Sequence, residues 1–327
     1  MAEHVLRVRD PGTCFAVAYQ AAYYDPFERE TGIRIARTDG GKEPTELIRD
    51  MVERQDYQWD VCLTSLSANR AAVAGPAWLE DIAGIPNAGN IPDAWRTAHF
   101  QGDDFYSVAV GYRHDAFPDA KPGGWVDFWD VEGFPGRRSL RDFPMDVLEA
   151  ALLASGADPD TIYPLDLDAA FASLDVIRPH ITHWWGPGNT TQFLLTDKCE
   201  TPVDMMLIST LRALEADTLS APGSGGVGIG WGGNIRTCQG WGILKGSPNA
   251  DLGRVFLDFI ATPERQAAAC ALVGTSPTIP DATALLPPDR RAVLPDAHVD
   301  GSVFSDPAYW SPRKVGIAER YAAWMAR

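Results

Sequence analysis

The sequence predicts an α/β fold that is divided between two lobes. The chain has 327 residues, which is more than one ordinary hydrophobic core accommodates. Strand-like runs alternate with helical patterns along it, and such alternation is typical of α/β proteins. Hydrophobic residues make up 45% of the chain and charged residues 22%, which is the composition of a globular protein.

The charge of the chain excludes two classes of partner. It carries 28 basic and 44 acidic residues, for a net charge of −16. Nucleic acids and anionic membranes are polyanions and repel such a protein. No apolar run reaches about 18 residues, the length that a membrane-spanning helix needs. We therefore expect neither nucleic-acid binding nor membrane insertion.

The first 65 residues place polar groups beyond strand ends. Residues 5–8 alternate as a strand, a turn follows, and a helix begins near residue 13. A helix N-terminus presents free N–H groups, so Thr13, Cys14 and Phe15 are candidate ligand contacts, with an ordinary strand–helix turn as the alternative. Residues 59–63 form a buried strand that ends in Thr64 and Ser65. Ligands of open α/β sheets bind beyond such ends, so these hydroxyl groups are candidates too.

Helices are predicted at three further places by their 3.6-residue apolar spacing. They are residues 167–177, a segment that begins near Ala250, and a segment opened by Pro263. A last helix places Ile317, Tyr321 and Trp324 on one side. We expect the tail from residue 287 to pack on the second lobe.

Enzyme signatures are missing from the sequence. The six histidines are scattered without an HExxH motif, and neither a G-x-S-x-G elbow nor a phosphate-binding loop occurs. The five cysteines lack zinc-site spacing; they are buried small side chains, or some of them pair in an oxidising compartment. We expect no catalytic residues, no metal and no cofactor.

Aromatic residues favour a binding cleft. The chain has eleven Trp, nine Tyr and thirteen Phe, and aromatic walls bury organic ligands and attract cations. Trp184, Trp185 and Trp231 lie in or beside glycine-containing connections, so they are candidate cleft residues. Taken singly, each of them favours a core position, whereas the set as a whole favours the cleft.

Several motifs, in order, resemble one protein family. The glycine-rich stretch 228–240 leads into Trp-Gly-Ile-Leu-Lys-Gly-Ser-Pro-Asn at 241–249 and Phe-Leu-Asp-Phe-Ile at 256–260, and Glu-Thr-Gly-Ile occurs at 30–33. This order resembles the extracytoplasmic solute-binding proteins of ABC importers, in the branch that includes the spermidine/putrescine-binding proteins, which are type II periplasmic binding proteins.

The resemblance implies an architecture and a setting. It implies two Rossmann-like lobes joined by hinge crossovers, with the ligand cleft between them. The first lobe comprises residues 1–110 and 240–276, and the second comprises 111–239 and 277–327. It also implies a monomeric periplasmic receptor, without its export signal here, that binds a small molecule and works with a membrane permease.

The chain departs from its polyamine-binding relatives where these clamp ammonium groups with acidic side chains. Phe143 and Gln239 stand at those positions, and Arg141, Arg212 and Arg236 lie near the expected cleft, as does Ser209. Arginine pairs with carboxylates. We therefore predict a small polar organic ligand that bears a carboxylate or another anionic group. A polyamine ligand, an enzyme on a two-lobe scaffold and a cytosolic ligand sensor remain as alternatives.

Overall fold

The chain forms two compact units in a computed structural model that describes residues 4–12, 14–40, 44–75, 77–186, 194–196, 199–220 and 226–327. The first unit comprises Met1–Phe105 and Thr237–Leu294, and the second comprises Tyr106–Arg236 and Pro295–Arg327. The sequence placed the divisions after residues 110, 239 and 276. Residues 277–294 instead belong to the first unit, because Ile279, Ala282 and Leu286 pack there against Ala261 and Ala267.

The strands of the described residues range from two residues to seventeen. They are β1 Val5–Asp10, β2 Arg34–Asp39, β3 Val61–Ser65, β4 Arg96–Thr97, β5 Phe100–Arg113, β6 Arg138–Arg141, β7 Ile181–Trp185, β8 Met205–Ser209, β9 Val227–Ile243, β10 Ser276–Pro277 and β11 Val303–Phe304.

The α-helices alternate with these strands, and a π-helical turn at Gln20–Tyr24 joins the first two. They are α1 Cys14–Tyr19, α2 Asp25–Thr31, α3 Thr45–Arg54, α4 Leu66–Val73, α5 Trp125–Trp129, α6 Val147–Ala154, α7 Leu167–Ile177, α8 Thr210–Leu219, α9 Ala250–Ile260, α10 Pro263–Val273, α11 Pro280–Leu285, α12 Pro288–Arg291 and α13 Pro307–Met325.

The first unit contains the strand order β2-β1-β3-β9. Strand β1 is parallel to β2 and β3, whereas residues 239–243 of β9 run antiparallel to β3. Helix α9 buries Phe256, Leu257 and Ile260, and the Phe256 ring packs edge-on against Trp241 of β9 at 5.5 Å. This packing explains the apolar stripe that the sequence shows in α9.

The second unit contains the strand order β5-β8-β6-β7. Strand β8 is antiparallel to β5 and parallel to β6, and β6 is parallel to β7. Helix α13 buries Ile317, Tyr321 and Trp324 in the same hydrophobic core as Trp125 and Phe128. Because β6 is parallel to both β7 and β8, the carboxyl ends of these three strands lie at the same edge of the sheet.

The helices predicted at residues 167–177, near Ala250 and at Pro263 are confirmed by α7, α9 and α10. The placement of three tryptophans is corrected. Trp184 and Trp185 lie in β7 and Trp231 lies in β9 rather than in connections. For Trp231, the neighbouring glycines indicated a connection, but they lie inside a strand where another part of the backbone comes close. A Cβ at Gly232 would lie 2.8 Å from the Gly123 carbonyl oxygen.

Candidate ligand-binding site

The first unit presents polar side chains where β3 ends. Ser65 lies opposite Gln239 of β9, and its Oγ accepts a hydrogen bond from the Ala68 N–H at 3.1 Å, which caps α4. Thr64 Oγ1 and Gln239 Oε1 are buried without a hydrogen-bond partner among the described residues. A buried polar atom without a partner is costly, so these two atoms are suited to contact a ligand.

The loop after β1 is held by the buried carboxylate of Asp10. It accepts hydrogen bonds from the Gly12 N–H at 2.7 Å, the Tyr24 hydroxyl at 2.9 Å and Arg37 Nε at 2.8 Å. Thr13 lies outside the described residues. Cys14, the half-buried first residue of α1, is positioned directly after this loop.

Phe15 is placed in the interior of the first unit. Its side chain is 3% exposed, and its ring packs edge-on against Tyr19 at 5.5 Å. A ligand contact by Phe15 stays a prediction.

The second unit brings Arg141, Phe143 and Trp185 together. Arg141 ends β6, and its register partner Trp185 ends β7. The Arg141 guanidinium carbon lies 5.1 Å from the Phe143 ring centroid and 5.5 Å from that of Trp185, and aromatic faces attract such a cation. Trp185 is itself held by a hydrogen bond from its Nε1 to the Leu207 carbonyl oxygen at 3.1 Å. The guanidinium thus lies beside both aromatic rings.

Only part of the Arg141 guanidinium is engaged among the described residues. Its Nη1 donates to Asp146 Oδ2 at 3.1 Å, and its Nε is buried without a hydrogen-bond partner there. The side chain is 29% exposed. Because a guanidinium has five N–H donors arranged as a fork, Arg141 keeps donors with which it can bind an anion.

Asp146 sets the position of this ion pair. It is the N-cap residue of α6 and adopts a left-handed φ of 72°. Burial raises the pKa of Asp146, and the Arg141 charge lowers it in part. Asp146 was not among the predicted site residues, although its sequence context carries a signal: Asp-Val-Leu-Glu before an apolar run is a capping-box pattern.

The other two candidate arginines form ion pairs within the second unit. Arg212 Nη1 lies 2.7 Å from Glu215 Oε2 on α8, and Arg236 Nη2 lies 2.7 Å from Asp296 Oδ1. Ser209 ends β8 and directly precedes α8.

Two candidate tryptophans pack against other rings of the second unit. The Trp231 ring stacks on His298 with a centroid distance of 3.9 Å. Trp184 packs edge-on against Trp324 at 5.8 Å, beside the hydrophobic core. The structure therefore groups Arg141, Phe143 and Trp185, and places Trp184 and Trp231 in separate contacts.

A comparison with models of protein families identifies the family of this chain. The family model of bacterial extracellular solute-binding proteins matches residues 22–292, which is most of the chain. The chain belongs to this family. The family prediction and the predicted α/β fold are thereby confirmed, and the protein is the substrate-binding protein of an ABC transporter.

Individual relatives cover this solute-binding protein from end to end. The gamma-aminobutyric acid-binding protein of Pseudomonas aeruginosa is 27% identical over 326 residues, which are 97% of this chain and 89% of that protein. An ABC transporter substrate-binding protein from Bradyrhizobium japonicum is 32% identical, with a TM-score of 0.91 over 99% of this chain and 100% of that one. The GABA receptor Atu4243 is 29% identical, with a TM-score of 0.83 over 98% and 97%.

Membership of the family fixes the general role of this solute-binding protein. Its relatives are transport proteins that bind a solute rather than enzymes. They bind a small ligand and work with a membrane permease, and the family is extracellular. In the described part of the chain, no helix is both long enough and apolar enough to cross a membrane.

Proposed function

We propose that this protein captures a small organic solute that bears a carboxylate, and that Arg141 binds this carboxylate. The observation that carries the proposal is the setting of the guanidinium between Phe143 and Trp185, with a buried Nε that has no partner among the described residues. A guanidinium binds a carboxylate through charge-assisted and often bidentate hydrogen bonds.

Two of the relatives support an amino acid with separated charges as the proposed ligand. Two proteins that cover nearly the whole chain are named for binding γ-aminobutyric acid, which carries a carboxylate at one end and an ammonium group at the other. We propose a ligand of this class. In this proposal Arg141, with the rings of Phe143 and Trp185, supplies the cationic contact in the second unit.

The buried carboxyl groups that the structure describes near Arg141 do not favour a polyamine ligand. Near Arg141 the buried carboxyl groups are Asp146, which pairs with Arg141, and Glu149, which accepts hydrogen bonds from Tyr163 and Trp310. Neither is available to clamp an ammonium group. A diamine would also approach the Arg141 charge, and like charges repel strongly where water is excluded.

The remaining parts of the proposal follow the family. We propose a periplasmic, monomeric receptor without catalytic activity, which has no resident cofactor and no affinity for nucleic acid. The net charge of −16 supports the last point.

Calorimetry with γ-aminobutyrate, glutamate, succinate, putrescine and spermidine tests the proposal. We expect at least one carboxylate to bind and both polyamines to bind poorly. Arg141→Ala should cost about 2 to 5 kcal/mol of binding free energy, as for other truncated charge pairs. Arg141→Lys keeps the charge but removes the forked set of donors, so it should weaken binding by less than Arg141→Ala does. Arg320→Ala, which removes a surface ion pair with Asp168, is the control. Micromolar binding of a polyamine without any response to carboxylates would overturn the proposal.

A further inference from the structure

A buried pair of carboxyl groups stands directly behind the Arg141 guanidinium. Asp146 accepts a hydrogen bond from Arg141 Nη1 at 3.1 Å, and the Asp146 main-chain N–H donates to Glu149 Oε2 at 3.0 Å. Glu149 is fully buried. Its Oε1 accepts from the Tyr163 hydroxyl at 2.6 Å and from Trp310 Nε1 at 2.7 Å. Among the described residues, the Glu149 carboxylate is thus contacted by neutral donors and by no cation.

The charges around this pair do not balance. The titratable and charged groups that contact or approach it from neighbouring elements are Arg141 on β6, Tyr163 before α7, and Tyr309, Arg313 and Lys314 on α13. The Arg141 charge is already matched by Asp146 at contact distance. Arg313 packs on the Tyr309 ring at 4.9 Å, and Lys314 lies 6.0 Å from the Phe143 ring. The described groups at hydrogen-bond distance from the Glu149 carboxylate are the Asp146 N–H, the Tyr163 hydroxyl and Trp310 Nε1, all of them neutral.

We propose that Glu149 takes up one proton from solvent when an anionic group binds at Arg141, so that the site neutralises one negative charge as it accepts another. This inference rests on the proposed function, because it requires an anionic ligand at Arg141. In this scheme Glu149 is a positioning residue that sets the charge of the site through Asp146 and does not itself contact the ligand.

The pKa of Glu149 allows this carboxyl group to take up a proton at neutral pH. Burial, and after it the charge of Asp146, raise the pKa of Glu149 to about 7, against the hydrogen bonds from Tyr163 and Trp310, which lower it. A bound anion adds further negative charge nearby and raises this pKa again. Binding is then favoured at lower pH, where the proton is already present. If the anion raises the pKa by one unit or more, the Kd should increase about five- to tenfold from pH 6 to pH 8.

The test measures binding of γ-aminobutyrate and glutamate by calorimetry at pH 6, 7 and 8. These two probes keep their carboxylate charges over this range. At pH 7, two buffers with different ionisation enthalpies report the number of protons taken up. We expect proton uptake and the five- to tenfold change for the wild type. Glu149→Gln should remove both effects, and Asp168→Asn, a change at an exposed carboxylate, should leave both unchanged.

A second variant covers the case in which Glu149→Gln does not fold. Tyr163→Phe removes a hydrogen bond that favours the charged form of Glu149, so it should move the pH profile to higher pH. Probe binding that does not depend on pH, or an unshifted profile in Tyr163→Phe, would overturn the inference and leave the proposed function standing. If no carboxylate probe binds at all, the proposed function fails and this inference fails with it.

Discussion

Two adjacent aspartates of the first unit should make its stability depend on pH. The Tyr19 hydroxyl lies 2.7 Å from Asp103 Oδ2 and 3.2 Å from Asp104 Oδ2, and the Tyr23 hydroxyl donates to Asp103 Oδ1 at 2.7 Å. A phenol has one proton to donate. Both Tyr19 contacts are hydrogen bonds when Asp104 is protonated and donates to the Tyr19 oxygen. We therefore expect Asp103 to be the carboxylate of the pair and Asp104 to be the neutral acid.

The direction of the pH effect follows from the raised pKa values. Burial raises the pKa of Asp103 from 3.8 to about 6, and burial with the charge of Asp103 raises that of Asp104 well above its usual range. Each acid binds its proton more tightly in the folded state, so stability that is present at low pH is lost as the pH rises. For Asp103 this loss corresponds to about 3 kcal/mol of unfolding free energy between about pH 4 and pH 6.

Substitution of each aspartate by asparagine separates the two roles. Asp104→Asn keeps a donor for the Tyr19 oxygen and removes a carboxyl group that must stay protonated in the folded state. Above pH 6 its unfolding free energy should therefore equal or exceed that of the wild type, with a flatter dependence on pH. Asp103→Asn turns an amide nitrogen towards a phenol donor and should cost about 1 to 3 kcal/mol. Urea unfolding followed by fluorescence from pH 4 to pH 8 measures the wild type and both variants. The reasoning is refuted if Asp104→Asn is as destabilising as Asp103→Asn at pH 8.

Two further predictions concern neighbouring tryptophans and a glycine. Trp184→Ala should lower the unfolding free energy by about 3 kcal/mol because this ring packs beside the core. Trp185→Ala should weaken carboxylate binding by about 1 to 3 kcal/mol. Urea unfolding measures the loss of stability and calorimetry measures the loss of affinity; a loss of affinity in Trp184→Ala with none in Trp185→Ala would contradict the site. Gly124→Ala should lower the Tm because its Cβ would lie 2.3 Å from a backbone oxygen, whereas Gly75→Ala, with nothing within 4 Å, should not; equal Tm values for the two variants would contradict the packing.

Local signals explain which elements the sequence predicted well. Helix α7 begins after Asp166, whose side chain accepts a hydrogen bond from the Ala169 N–H, and α10 begins after Thr262, which caps it in the same way. Such caps and the apolar spacing of the helices depend on residues a few positions apart. The family resemblance then supplied the two-lobe arrangement, which no local signal contains.

The arrangement around Arg141 depends on longer-range contacts. The sequence marked Arg141, Phe143 and Trp185 separately, but the pairing of β6 with β7 brings Trp185 to Arg141 across 44 positions of the chain. Strand register of this kind is set by packing and is not encoded in neighbouring residues. Asp146, the partner of Arg141 in the ion pair, also has a φ of 72°, a conformation that a non-glycine residue rarely adopts.

The division of the chain between the two units has a consequence for its synthesis. The first unit draws on residues up to 105 and then on 237–294, so its sheet lacks β9 until more than two thirds of the chain has left the ribosome. The core of the second unit is completed later still, because Trp310 and Trp324 of that core lie on α13. Neither unit can complete its core early, and apolar surface stays uncovered in the growing chain. A nascent chain of this kind should engage chaperones until helix α13 has emerged.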